Sequence, residues 1–237
     1  MVKSKPNINW DRVLDKTWFY MRLSFAIAVI SIIIFGIGTF YPNSIAQKQV
    51  KLETELYYLN KIKQMDLREP EFTYNNDVQF VRAMHKCIDY INFTTPRMNR
   101  VPYEMIIAQA ALESGWGSSR FATEGNNLFG IRTFSKDIPH MRPVGIKKWP
   151  GWGVRIFASK CDSVKEYVRL LNEHPAYEEF RILRTKMLVD NDPLDPVKLI
   201  KKLDKFSTTV DYDKRVIRII NKIRKQEDKY ASGEEIE

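Results

Sequence analysis

The sequence predicts a mainly α-helical domain of the α+β class, with one small β excursion, preceded by a single membrane-spanning helix. Three observations carry this. An uncharged run of 19 residues, Leu23 to Tyr41, stands near the N-terminus. From Asp77 onward, apolar residues recur at helical spacing in one segment after another. Between Gly125 and Trp152, Gly, Pro and Asn break the chain into short β-prone pieces. The 237 residues are 44% hydrophobic and 28% charged, a globular rather than a disordered composition. The net charge of +9 points to an anionic partner: nucleic acid, a membrane surface or an acidic polymer.

The N-terminal element comes first. Residues 23–41 are long enough to span a bilayer, which takes about 20 apolar residues. Residues 1–22 carry Lys3, Lys5, Arg12, Lys16 and Arg22 against Asp11 and Asp15. This bias keeps 1–22 cytoplasmic and places everything after Tyr41 outside. Trp18, Phe19 and Tyr20 form an aromatic belt on the inner side. A cleaved signal peptide is the rival, because Ser44-Ile45-Ala46 has small residues spaced for a peptidase, but the run exceeds the roughly 7–15 residues of a signal core. In either case the working domain lies outside the cytoplasm, on the periplasmic side of an inner membrane if the anchor is kept. Cys87 and Cys161 then face an oxidising space, as a disulfide or as two buried thiols. Their spacing fits no metal site.

Residues 42–76 read as a linker or stalk, with a short helical pattern around Leu52, Leu56 and Leu59. The domain proper covers 77–226. Its first helix starts at Asp77, a candidate N-cap, and places Val78, Val81, Met84, Cys87 or Ile88, and Ile91 on one face. The next, "VPYEMIIAQAALE", has Pro102 at a helix start and is nearly apolar all round, so it is buried. Then come the β pieces "LFGIRTF" and "VGIKKW" in a small hairpin. Three more helices follow in "DSVKEYVRLLNE", "DPVKLIKKLDKF" and "DYDKRVIRIINKIRK", separated by Pro175, Pro193 and Pro196. Residues 227–237 are acidic, lack apolar periodicity and form a flexible tail.

One carboxylate stands out. Glu113 ends the buried helix in "AALESGWG". A helix C-terminus disfavours an anion, and the apolar neighbours Leu112, Trp116 and Phe121 disfavour it further. Both effects raise the pKa of Glu113. A carboxylic acid held neutral is the group that protonates a glycosidic leaving oxygen. Gly115 and Gly117 allow a sharp turn and leave space beside the acid, and Trp116 offers an aromatic face to a sugar ring.

The stretch "AQAALESGWGSSRFA…GNNLFGIRTF" resembles the glucosaminidase family of peptidoglycan hydrolases, glycoside hydrolase family 73, and within it the Bax-type branch. "NEHPAYEEFR" and "LIKKLDKFSTTVDYDKRVIRIINKI" extend the resemblance over residues 78–225. It implies a lysozyme-like helical fold with a small β-hairpin lobe beside the active cleft. It implies Glu113 as general acid and Tyr212 lining the cleft near the scissile sugar. Trp116, Asn126, Asn127 and Phe129 become candidate substrate contacts, the two asparagines also as loop-shaping residues and Trp116 and Phe129 equally as packing residues. The family offers a second carboxylate from the lobe. Here residues 125–160 hold a single acid, Asp137. Gly153 stands where a closer relative would carry an acid, and Phe206 where the family often has Tyr. The substrate's own N-acetyl group, or a water positioned by Tyr212, would serve instead.

Arg132, Lys136, Arg142, Lys147, Lys148, Arg155 and Lys160 make the lobe cationic, suited to the carboxylates of peptidoglycan stem peptides. Export argues against a nucleic-acid partner. His85, His140 and His174 lack metal-ligand spacing, and no cofactor or metal is expected. The expected activity is hydrolysis of β-1,4 bonds of peptidoglycan glycan strands, after N-acetylglucosamine. A lytic transglycosylase, which needs no second carboxylate, and a non-catalytic wall-binding scaffold are the rivals.

Overall fold

A computed structural model describes residues 10–40, 44–65, 67–145 and 148–231. The chain divides into two compact units, residues 1–57 and 58–237.

In the first unit, helix α1 spans Trp10–Phe40. Its stretch Leu14–Gly36 is long and apolar enough to cross a membrane. It begins upstream of the expected Leu23 because Asp15, Lys16 and Arg22 join the same helix. Phe25, Ile32 and Phe35 are 71%, 70% and 72% exposed, an apolar surface that suits lipid better than water. Tyr41 lies outside the described residues. Helix α2 spans Ser44–Gln64 and runs from the first unit into the second, which begins at Tyr58. The periodicity read at Leu52 and Leu56 thus belongs to a helix of 21 residues, and Ser44-Ile45-Ala46 forms its first turn.

In the second unit, an extended segment leads to α3 (Asp77–Thr94). The cap is Asn76 rather than Asp77: its side chain accepts from the Gln79 amide at 2.9 Å, satisfying an orphan donor of the first turn. Helix α4 (Tyr103–Ser114) follows the Pro102 cap. Met105, Ile106, Ile107, Ala108, Ala110 and Ala111 are all buried. Helix α4 is therefore the central rod, as its all-round apolar sequence predicts. Each buried Ile or Met stabilises by about 1.5–3 kcal/mol.

A short helix α5 (Arg120–Thr123) leads into the β lobe. The lobe is a three-stranded antiparallel sheet of β1 (Arg132–Thr133), β2 (His140–Met141) and β3 (Gly153–Arg155). Its order is β1-β3-β2. The expected hairpin lobe is present as β2 with β3, and β1 adds a third strand on the other side of β3. The last strand inserts between the other two, Val154 pairing with Arg132 on one side and Met141 on the other. "VGIKKW" supplies no strand among its described residues; Ile146 and Lys147 lie outside them. Gly153 occupies the central strand because a Cβ there would sit 2.6 Å from the His140 ring.

Helix α6 (Lys160–Glu173) is capped by Ser159, whose side chain accepts from the Asp162 amide. Helix α7 (Glu178–Val189) is an element the periodicity did not mark. Helix α8 (Pro196–Ile200) is shorter than "DPVKLIKKLDKF" suggests. After Ile200 the chain tightens: the Leu203 amide bonds the Ile200 carbonyl and the Phe206 amide the Leu203 carbonyl. Those i→i+3 turns bury Leu203 and carry Phe206 to Tyr167 and Tyr212. Helix α9 (Tyr212–Ala231) closes the unit. The rest of the expected flexible tail, residues 232–237, lies outside the described residues.

Helix α4 packs against α3, α8 and α9, and α3 packs against α6. A disulfide joins Cys87 of α3 to Cys161 of α6 across 74 residues of sequence, resolving the choice between a bridge and two thiols.

Candidate active site

Helix α4 ends in three successive left-handed residues, Gly115, Trp116 and Gly117, with φ of 58°, 56° and 78°. Glycine adopts this region without cost; for tryptophan it is a strained outlier. The turn is held by Ser114, which is 1% exposed. Its hydroxyl donates to the Ala110 carbonyl at 2.6 Å and accepts from the Gly117 amide at 2.7 Å. Tyr74 closes over the turn, donating to the Gly117 carbonyl at 2.8 Å. A Cβ at Gly117 would overlap the Tyr74 ring and hydroxyl. Gly117→Ala therefore combines left-handed strain with a clash. The expected cost is about 2–4 kcal/mol, read as a lower denaturant midpoint in chemical unfolding.

Glu113 precedes this turn. Its side chain is exposed to water. Desolvation raises its pKa, and a hydrogen bond from Tyr212 and the charge of Arg215 oppose that rise in part. The acid is thus biased toward its neutral form while keeping an open face.

Tyr212 opens α9 and is 7% exposed. Its hydroxyl accepts from Gln109 Nε2 at 3.0 Å and lies close enough to Glu113, one turn beyond Gln109 on α4, to favour its ionised form. Gln109 is wholly buried on α4, and its Oε1 accepts from the Tyr167 hydroxyl of α6. Burial pushes the Tyr167 and Tyr212 hydroxyls well up, so both remain protonated. Phe129 stacks on Tyr167 at 4.2 Å, and Phe206 stacks on Tyr212 at 5.7 Å. Gln109 and Tyr167 are the site residues that sequence reading missed. The signal for Gln109 was an amide inside an apolar helix, since a buried polar group needs partners.

The other candidates are placed differently. Trp116 packs edge-on to Phe80 at 6.0 Å and under the Lys222 ammonium at 4.3 Å, so it is a packing residue and not an open sugar platform. Asn126 has φ 52° and donates to the Phe157 and Ala158 carbonyls at 3.1 and 3.2 Å. Asn127 is 1% exposed. Its amide donates to the Ile131 and Arg155 carbonyls at 2.9 and 2.8 Å, and its oxygen accepts from the Phe129 and Ile131 amides. All its polar capacity is used in holding the loop to β3, which corrects its reading as a substrate contact. Phe129, 4% exposed, is corrected likewise: it touches Tyr167, not solvent. Asn127→Leu leaves several buried backbone groups unpaired. The expected loss is about 3 kcal/mol, measurable as a lower thermal midpoint by circular dichroism.

Asp137 sits between β1 and β2. It accepts from the Ser135 hydroxyl at 3.4 Å, and its amide donates to that hydroxyl at 3.2 Å. No hydrogen bond or ion pair joins it to Glu113 among the described residues. The basic rim is partly engaged: Arg155 pairs with Glu166 at 3.0 Å, and the Arg132 guanidinium covers Trp152 at 4.1 Å.

The model of the glucosaminidase family, described as mannosyl-glycoprotein endo-beta-N-acetylglucosaminidase, matches residues 95–225. That is more than half of the chain. Protein Bax of Escherichia coli K12 is 35% identical over 117 residues, 49% of this chain and 40% of Bax. Peptidoglycan hydrolase FlgJ of Escherichia coli O157:H7 is 30% identical over 88 residues, 32% of this chain and 28% of FlgJ. The match thus spans two fifths or less of either relative. The solved glycoside hydrolase domain of Salmonella typhimurium FlgJ shares the fold, with a TM-score of 0.50 at 21% identity over 67% of this chain and 95% of that domain. The matched segment holds the acid that ends α4, the β lobe and the tyrosine that opens α9; the chain belongs to the glucosaminidase family of glycoside hydrolases.

Proposed function

We propose that the domain hydrolyses the β-1,4 bond after N-acetylglucosamine in peptidoglycan glycan strands, tethered to a membrane on its extracytoplasmic side. The observation that carries this is Glu113, an acid with a raised pKa and an open face, hydrogen-bonded by a buried tyrosine. Glu113 protonates the leaving oxygen. Tyr212 donates to one carboxyl oxygen and leaves the other free to present its proton to the glycosidic oxygen.

The second step draws on a water. Asp137, the sole acid of residues 125–160, or the substrate's own acetamide assists it. Asp137 sits on a loop between two-residue strands, an element of the kind that moves when a substrate binds. The name of FlgJ, a peptidoglycan hydrolase, supports the substrate class. The apolar helix α1 and the Cys87–Cys161 disulfide support the location, since structural disulfides persist in oxidising compartments.

The test is digestion of purified peptidoglycan by the full chain in detergent, with mass spectrometry of the released fragments. New reducing N-acetylglucosamine ends are expected. Anhydro ends would make the enzyme a lytic transglycosylase, and binding without release would make it a scaffold.

A further inference from the structure

The hydrogen bonds behind Glu113 have a direction. We propose that Gln109 and Tyr167 are positioning residues that make Tyr212 an obligate donor to Glu113, so that the proton of the acid is aimed at the substrate. The inference rests on Glu113 acting as the acid.

A tyrosine hydroxyl can donate or accept, whereas an amide nitrogen only donates and an amide oxygen only accepts. Gln109 Nε2 faces Tyr212 at 3.0 Å, so Tyr212 accepts there and its single proton is left for Glu113, which lies four residues beyond Gln109 on the same face of α4. If the amide were reversed, Tyr212 would donate to Gln109 and present a lone pair to Glu113. The protonated acid would then spend its proton on Tyr212, a dead end for catalysis. Tyr167 selects the first arrangement. Its hydroxyl is buried, and Gln109 Oε1 is its only hydrogen-bond partner among the described residues. Reversing the amide would leave the Tyr167 proton without an acceptor in a dry interior, which is costly.

The aromatic residues fix the remaining freedom. Phe129 stacks on Tyr167; Phe206 lies edge-on to Tyr167 and stacks on Tyr212. Asn127 accepts from the Phe129 amide. The loop "NNLFG" therefore acts on the acid through Phe129, Tyr167, Gln109 and Tyr212 in turn. The ionisable groups facing this cluster are Arg215 of α9, beside Glu113, and Tyr177 of the turn before α7, beside Tyr167 and Tyr212.

The experiment uses the full chain in detergent, labelled with 13C at glutamate carboxyls, the Glu113 signal being assigned by its loss in Glu113→Gln. Glu113 is titrated by NMR in the wild type, Gln109→Met, Tyr167→Phe and each of these combined with Tyr212→Phe. Peptidoglycan hydrolysis is followed in the same proteins. With Tyr212 free to accept, the Glu113 titration moves to higher pH in Gln109→Met and, less far, in Tyr167→Phe. The value of kcat falls by about 10- to 100-fold with KM nearly unchanged. In the Tyr212→Phe background neither substitution moves the titration further. A titration that stays in place while the rate falls, or a shift that persists without the Tyr212 hydroxyl, would overturn the proposal. Tyr167→Phe removes one oxygen atom and keeps the ring, so it tests the idea even if Gln109→Met fails to fold. A wild type that releases nothing from peptidoglycan would fail the proposed activity alone, because the titration needs no substrate.

Discussion

Glu113→Gln is expected to abolish release of glycan fragments, lowering kcat by about 10³-fold or more, while the protein still folds and binds the polymer. The reason is specific to the carboxyl group. Glutamine keeps the shape and the hydrogen bond from Tyr212 but has no proton acidic enough for the leaving oxygen. The pH dependence follows from the same residue. Desolvation raises the pKa of Glu113, so the acid stays protonated, and the enzyme active, above the ordinary carboxylate range. The alkaline limb of the rate profile therefore lies at higher pH than an exposed glutamate would give. Tyr212→Phe removes the hydrogen bond that favours the ionised form and moves that limb further up. A limb at the ordinary carboxylate position would show that another group supplies the proton.

Stability should change in the opposite sense to activity. The folded-state pKa of Glu113 lies above its unfolded value, so between the two the folded state holds more protons and stability falls as pH rises. Above the folded pKa the full penalty of a desolvated carboxylate is present. At neutral pH and above, Glu113→Gln should thus be slightly more stable than the wild type. The difference should vanish in acid, where both side chains are neutral. A catalytic acid kept in an environment that disfavours its charge is a known trade of stability for activity.

The upward bias on the pKa of Glu113 was legible in the sequence because its cause is local. A lone carboxylate where an apolar helix meets glycines is unusual on helix electrostatics alone. The long apolar run of α1 and the buried character of α4 were legible for the same reason, being properties of composition and period. What failed depended on contacts distant in sequence. Trp116 reads equally as a sugar platform and as a packing residue until Lys222 of α9 is seen over its ring. Asn127 and Phe129 read as cleft residues until β3 and Tyr167 arrive to occupy them. The sheet order β1-β3-β2 depends on pairings between strands of two or three residues, too short for alternation to declare itself. Tyr167 lay unnoticed on α6 because an aromatic on a buried helix face usually only packs. Its hydroxyl matters because Gln109, 58 residues earlier, has the complementary atom.

Loss of the Cys87–Cys161 bridge should be the largest stability effect in the domain. Both cysteines are buried, at 0% and 2% exposure, and their separation is 74 residues. Closing a loop of that length removes unfolded-state entropy worth about 4 kcal/mol in the chain-entropy description. For a domain of this size that corresponds to roughly 10 °C in thermal midpoint. Expected results are a midpoint lower by that amount for Cys87→Ala/Cys161→Ala, and no thiol labelling of the denatured, unreduced wild type. Labelling of two thiols in protein made in an oxidising compartment would refute the bridge. The closed loop contains Gln109, Glu113, Asn127 and the whole β lobe, and Tyr167 lies six residues beyond it on the helix that Cys161 opens. Opening the bridge leaves α3 and α6 joined by packing alone, so the frame that sets Tyr167 of α6 against Gln109 of α4 loses its covalent tie. Activity should therefore fall more steeply with temperature in the bridgeless protein than global unfolding alone explains. The full fold, and with it the orientation of Glu113, is then most secure where thiols oxidise, which is the compartment proposed for the domain.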